Sequence, residues 1–500
     1  MTMAESGGDD RHVDSVSPGK GKRETGGISL GRVTTLLVGS RAGGYALALV
    51  NSVVLARALG PDGLGVYAYA MGIAALFGLL PNLGISTIVT RNLARDPTGG
   101  AGLVRAALRA QVLLAGGVIV LIPLFAAALP GQPTPLGYIL LAAAQLGMGA
   151  LSWPYLAILA GHARYDRVAL IEILAGAVGT LSVLLAVALR GDVVAFLWAH
   201  VAAAALSVVI SRQFARPFLP VGGHTAVPLR DLIRQAAPFG ASAVVQGLYT
   251  RQDIVLLGQL GAAAELGLYS AAYKPVNLAV SFGSTVAGTL FPLMAQRGQR
   301  DVPIAFSRAM RGLGAAAPAM ALAVTGLAAP VLRGLFGGPY AAAAVILMVL
   351  IWSATANWLY TPLGIALQAR GHERSWLVCL IVGAVVNGMV NLWAIPRWGG
   401  LGAAVATLVS ETALLALGAY LTWRRLAILP TARPVLTGLG ATCAGALTLV
   451  ALSDLGALVA TGAALFVYGG LLISGRVITR DDLTIVMDWI RQATRGEASA

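Results

Sequence analysis

The sequence predicts an all-α polytopic membrane protein with about fourteen transmembrane helices: two pseudo-symmetric six-helix lobes followed by two further helices. Three observations carry that expectation: the composition, the distribution of basic residues and an internal repeat. Apolar residues make up 57% of the 500 and charged residues 11%. A water-soluble domain carries roughly 25% charged residues, because its core must be covered by a solvated face. Too little polar surface exists here for that, so the apolar surface faces lipid. The 62 glycines fit the same setting, since small residues let helices approach closely where lipid removes the hydrophobic drive for association.

A bilayer-crossing helix needs about 20 largely apolar residues. Such runs fall in order near 35–56, 65–90, 104–129, 135–160, 166–189 and 192–211. A second set lies near 236–258, 267–294, 308–332, 340–368, 375–395, 400–422, 434–452 and 455–475. Prolines at 123, 154, 238, 275, 292 and 318 sit in or beside these runs. Neighbouring helices can satisfy the backbone groups that proline frees, so kinks are expected there. The resulting organisation is a polar cytoplasmic tail over 1–30, an N-terminal lobe over 31–213, an inter-lobe loop over 214–234 and a C-terminal lobe over 235–424. Two extra helices follow over 425–476, then a tail over 477–500. No cleavable leader opens the chain, so the first span is expected to be an uncleaved anchor.

Orientation follows from the arginines. With the N-terminus in the cytoplasm and loops alternating, 28 of the 35 basic residues fall in cytoplasmic segments. Only Arg57, Arg190, Arg333 and Arg397 fall in outer loops. Basic residues are retained on the cytoplasmic side, so both termini are expected there and the location is the inner (cytoplasmic) membrane. The net charge of +14 is then a topology signal, and nucleic acid is not an expected partner.

The repeat is visible in two places. Leu59-Gly60-Pro61-Asp62-Gly63-Leu64-Gly65-Val66-Tyr67 after the first span matches Leu260 to Tyr269 after the seventh, with one residue inserted. Gly161-His162 with Arg164 after the fourth span matches Gly371-His372 with Arg374 after the tenth. Each pair is six spans apart, an even number, so both copies share one orientation about an axis along the membrane normal. Residues 479–493 place Leu483, Val486, Met487 and Ile490 at helical spacing, an amphipathic surface helix. Cys379 and Cys443 lie in apolar runs and read as packing residues. No metal site or cofactor is expected.

The string Arg251-Gln252-Asp253, Leu256-Leu257-Gly258, then Glu265 through Lys274, resembles the polysaccharide-exporter branch of the MOP flippases, the Wzx-like lipopolysaccharide and oligosaccharide flippases. Leu55-Ala56-Arg57 through Tyr67, and Leu83-Gly84-Ile85 leading to Arg91 and Arg95, resemble the same family. The likeness runs from about 30 to 475. It implies a MATE-like fold of two lobes around a central cavity. It also implies alternating access that moves a lipid-linked oligosaccharide across the cytoplasmic membrane for cell-surface polysaccharide biosynthesis, with no enzymatic activity.

A charge at the bilayer centre costs about 2.5–3.5 kcal/mol on insertion scales, so each one needs a reason. The candidates are Arg41, Glu172, Arg251, Asp253, Lys274 and Glu411. Three are cations, and the diphosphate of a polyprenyl-linked glycan is anionic. Arg offers a planar fork to phosphate oxygens and Lys a point charge. Arg41, Arg251 and Lys274 are therefore the candidate diphosphate-binding set. Asp253, Glu172 and Glu411 are candidates for proton or sodium coupling or for tuning the field. Asn51, Gln252, Tyr249 and Tyr269 are candidates for sugar contact.

Blander roles stand beside each of these. Arg251 and Asp253 could pair with one another, Lys274 could snorkel to the outer surface, and Glu172, Glu411, Asn51 and Gln252 could bond between helices. His162 and His372 suit turn capping, and His200 suits a satisfied core position. A multidrug or cation antiporter of the same superfamily is the rival within transport; its cavity should be acidic. A membrane glycosyltransferase or polymerase is the rival among enzymes; it would need a large outer loop, and every expected outer loop is short.

Overall fold

The computed structural model describes residues 30–96, 100–131, 133–219, 228–288, 302–427 and 432–477, with the backbone course alone over 30–42 and most of 229–246. Among them every regular element is a helix and none is a strand. The two tails, the 479–493 amphipathic segment, the Arg41 side chain and 220–227 of the inter-lobe loop lie outside the described residues.

The first helix, α1 (Leu30–Leu76), runs in two arms that meet at Gly60, where φ is 65° and ψ 179°. That backbone state is open to glycine and strained for other residues, and Pro61 starts the second arm. After turns over 77–84 the chain resumes as α2 (Ile85–Arg95). The expected single span at 65–90 is therefore broken, not kinked. Leu83 and Gly84 both take positive φ there, and the freed groups find partners on side chains. The Gln111 Nε2 donates to the Pro81 carbonyl at 3.0 Å, and the Asn82 Oδ1 accepts the Ser86 N–H at 3.0 Å. Irregular backbone at membrane depth persists only with such partners.

Next come α3 (Ala101–Ala128) and the pair α4 (Leu136–Ala150) and α5 (Trp153–Gly161). The last two divide the expected 135–160 span, because Pro154 in the first turn of α5 has no N–H to continue α4. Helices α6 (Tyr165–Ala188) and α7 (Val193–Ala215) complete the first half. The second half comprises α8 (Leu229–Leu260), α9 (Ala263–Gly288), α10 (Val302–Phe336), α11 (Ala344–Ala369) and α12 (Glu373–Leu426). Two helices follow it, α13 (Ala432–Ala451) and α14 (Ala457–Ser474).

Helix α12 also has two arms, joined at Gly399 with φ 53°. The Glu265 Oε2 of α9 accepts the Gly400 N–H at 2.9 Å and so caps the second arm from a neighbouring helix. Glu265→Ala should cost about 0.5–2 kcal/mol, the usual worth of such a cap. A lowered melting temperature in detergent is the expected result, and an unchanged one would remove the cap from the stability account.

Ten helical stretches among the described residues are long and apolar enough to cross a membrane. Counting the two arms of α1 and α12 as separate crossings, and including α8 and α9, is consistent with the expected fourteen. Their outer surface suits lipid: Val112, Leu113, Val120 and Leu124 of α3, Leu181 and Leu185 of α6, and Leu447, Val450 and Phe466 of the last two helices are exposed.

Helices α1, α4, α6 and α7 pack together, as do α8, α9, α11 and α12, while α13 and α14 pack on one another and on α10. The halves meet chiefly where α1 lies against α8 and α9. The main core crosses that seam, joining Leu55, Tyr69 and Ile73 to Leu257, Tyr269 and Leu347. The first histidine turn is packed into the fold: the His162 Nδ1 lies 2.9 Å from the Ile158 carbonyl, and its ring, Arg164 and Arg167 gather around Phe218. The His372 side chain caps no backbone group at its own turn.

Candidate transport site

Two polar and charged side-chain groups lie at and behind the seam. Arg251 on α8 and Lys274 on α9 are half-buried, and their charges act on one another. Neither makes an ion pair among the described residues. Arg251 is thus not paired with Asp253, and Lys274 is held in the protein, facing the first lobe. There the His200 ring of α7 lies within electrostatic reach of Lys274. The His200 Nδ1 donates to the Phe196 carbonyl at 2.8 Å, leaving Nε2 to accept from the Tyr67 hydroxyl at 3.3 Å. His200 is a satisfied residue, as expected, but it stands at the seam.

The second group fills the interior of the C-terminal lobe. Asp253 is 5% exposed; one oxygen accepts from the Tyr269 hydroxyl and the other from the Ile254 N–H at 2.9 Å. The Thr407 hydroxyl of α12 approaches Tyr269 at 3.4 Å. Beside it, the Gln252 Nε2 donates to the Asn387 Oδ1 at 2.8 Å and to the Ala384 carbonyl at 2.9 Å. Asn387 bonds Ser410 at 3.1 Å and receives Asn391 at 2.8 Å. The Asn391 Oδ1 is buried with no hydrogen-bond partner among the described residues. Deeper along α12, the Glu411 Oε1 accepts from the Tyr249 hydroxyl at 2.9 Å, close to Tyr360 and its partner Asn357.

These placements put three of the four sugar-contact candidates against partners within the C-terminal lobe. Tyr269 is fully buried with its hydroxyl spent on Asp253, Gln252 binds α12, and Tyr249 holds Glu411. The Asn51 Oδ1 is buried with no hydrogen-bond partner among the described residues. Of the three candidate acids, Asp253 and Glu411 share one lobe interior, whereas Glu172 is exposed on α6 in the other half. Asn387, Asn391, Thr407, Ser410 and Asn357 were missed by the sequence reading. An Asn-x3-Asn pair in an otherwise apolar helix was the available signal, because those positions share one face.

A further cavity of about 640 Å³ lies between α10, α11, α12 and the last two helices. Its walls are apolar, with Leu359, Leu415, Leu439 and Leu472 among them, and Arg311 stands in its lining.

The described residues thus form a polytopic helical bundle with two repeat-related halves, cations at their seam and a polar lobe interior. The polysaccharide biosynthesis protein family matches residues 30–297, more than half of the chain, and this protein belongs to that family. It is 22% identical over 191 residues to the probable low-salt glycan biosynthesis flippase Agl15 of Haloferax volcanii, an alignment covering 36% of this chain and 39% of that protein. The chain thus spans well under half the length of that curated relative in the match. Among solved structures, the lipid II flippase MurJ in an inward closed conformation superposes with a TM-score of 0.71 at 13% identity, covering 89% of this chain and 98% of that one. An inward-facing multidrug resistance MATE transporter of the MOP superfamily superposes with a TM-score of 0.61 at 16% identity, covering 76% and 94%. At these identities the likeness establishes the fold.

Proposed function

We propose that this protein moves a polyprenyl-diphosphate-linked oligosaccharide across the cytoplasmic membrane by alternating access, with both termini in the cytoplasm, in the building of cell-surface polysaccharide. The observation that carries the reading is the pair Arg251 and Lys274, two cations at the lobe seam with no carboxylate in ion-pair reach among the described residues, Asp253 acting on Arg251 only from beyond that distance. Holding unneutralised cations at membrane depth is costly, and a diphosphate leaving the headgroup region supplies the missing countercharge. Arg41, on the first arm of α1, completes the set from the other lobe. Family membership and the flippase named in the MurJ structure support the same assignment.

Asp253 is the coupling group in this reading. Its carboxylate is held by the Tyr269 hydroxyl, which Thr407 approaches in turn, and a proton or a sodium ion could neutralise it there. Glu411, held by Tyr249, is a second titratable group in the same lobe. The 640 Å³ apolar cavity is a place for part of the isoprenoid chain. The antiporter rival asks for acids exposed to a cationic substrate, whereas Asp253 and Glu411 are engaged by tyrosines inside their lobe.

Deleting the gene and analysing membrane lipids tests the assignment. A lipid-linked glycan should accumulate on the inner leaflet, and its structure would name the substrate. Unchanged lipid-linked intermediates together with a lost drug tolerance would overturn it in favour of the antiporter.

A further inference from the structure

The repeat noticed in the sequence has a physical counterpart in the fold: each copy's glycine rests on the other copy's turn. A β-carbon at Gly65 would lie 1.8 Å from the Ala263 carbonyl oxygen, and one at Gly267 would lie 1.8 Å from the Pro61 carbonyl oxygen. The two glycines occupy matching places in the repeat, and so do the turns they touch. The contact is therefore reciprocal about the pseudo-twofold axis. No side chain beyond hydrogen fits either place while the lobes are in this arrangement.

Around this pair the seam is fastened by contacts that join the two lobes directly. Arg57, at the end of the first arm of α1, donates to the Leu335 and Gly334 carbonyls at the end of α10, at 2.8 and 2.6 Å. The Tyr340 hydroxyl donates to the Ala56 carbonyl at 2.9 Å. The Gln259 amide bonds the Tyr69 hydroxyl, and the Tyr69 ring lies over Gly258, where an added β-carbon would come within 2.1 Å. All of these residues lie at one end of the spans, the end that carries few arginines. Two residues beyond each glycine a tyrosine turns back into its own lobe: Tyr67 to His200, and Tyr269 to Asp253.

We infer that Gly65 and Gly267 are the two faces of a gate that closes the arginine-poor end of the central chamber, with Arg57, Tyr340 and the Tyr69–Gln259 pair as its fastenings. Closure requires backbone against backbone, which is why the repeat keeps a glycine in both copies. Tyr67 and Tyr269 position the two faces by tying each to the interior of its lobe. The inference takes from the proposed function that a chamber lies between the lobes and opens alternately to the two sides.

The test is side-specific labelling of a single cysteine in the chamber, R251C in a chain carrying C379A and C443A, with a membrane-impermeant maleimide in oriented vesicles. With both glycines intact, labelling should come predominantly from the arginine-rich side. Gly65→Val and Gly267→Val should each raise the rate from the arginine-poor side by about tenfold or more, because overpacking disfavours the closed arrangement. Equal effects from the two variants are expected from their symmetry. Folded valine variants that still label only from the arginine-rich side would overturn the gate and leave ordinary helix packing. If neither valine variant folds, Arg57→Ala and Tyr69→Phe decide, since they remove fastenings without adding volume. A rise in arginine-poor-side labelling supports the gate and no change overturns it. The readout needs no substrate, so it can fail while the diphosphate assignment stands, and the reverse.

Discussion

Arg251→Ala should abolish export while leaving the protein in the membrane at its normal level. The reason is the loss of charge-assisted hydrogen bonds to an anion in a poorly hydrated place, each worth about 1.5–3 kcal/mol. At 1.4 kcal/mol per factor of ten, even one such bond is about a 10–100-fold loss in apparent affinity. Arg251→Lys should keep part of the activity, because the charge remains while the planar fork is lost. Export would be followed by the arrival of the finished glycan at the cell surface, with immunoblotting for membrane level. Undiminished export in Arg251→Ala would remove the residue from the site.

The second large effect is expected at Asp253. Asp253→Asn keeps the shape of the side chain and an acceptor for the Tyr269 hydroxyl, yet removes the charge a proton or cation would neutralise. In proteoliposomes, flipping by the asparagine variant should no longer respond to an imposed proton or sodium gradient, and stability should change little. Asp253→Ala should in addition lower the melting temperature, since it strands a buried hydroxyl at a cost of about 1–3 kcal/mol. An asparagine variant that still responds fully to both gradients would take Asp253 out of coupling. The same assay on Glu411→Gln separates the two carboxylates, which lie in one lobe but on different hydrogen-bond chains.

How far the sequence could be read depended on the range of the interaction. Span positions were legible because apolar length is a local property: the runs near 104–129, 166–189 and 192–211 coincide closely with α3, α6 and α7. The duplication was legible because Gly65-x-Tyr67 and Gly267-x-Tyr269 preserve spacing. The breaks at 77–84 and 151–152 were not, since an apolar composition hides them. What sustains them is a distant partner such as Gln111, or a proline whose missing N–H acts only in context. The lobe interior was half legible. Asp253 and Glu411 stood out as buried charges, but Thr407 and Asn387 belong to a helix more than a hundred residues away. The engagement of Tyr269 was not legible, because its sequence neighbours, Leu268 and Ser270, carry no sign that its hydroxyl points at Asp253.

The most direct measurement is binding by the purified protein of a polyprenyl diphosphate and of the corresponding uncharged polyprenol, compared with the Arg251→Ala, Lys274→Met double variant. The account predicts a clear preference of the native protein for the diphosphate, and its disappearance in the double variant with polyprenol binding kept. Equal binding of the two lipids by the native protein, or a preference that survives loss of both cations, would contradict it.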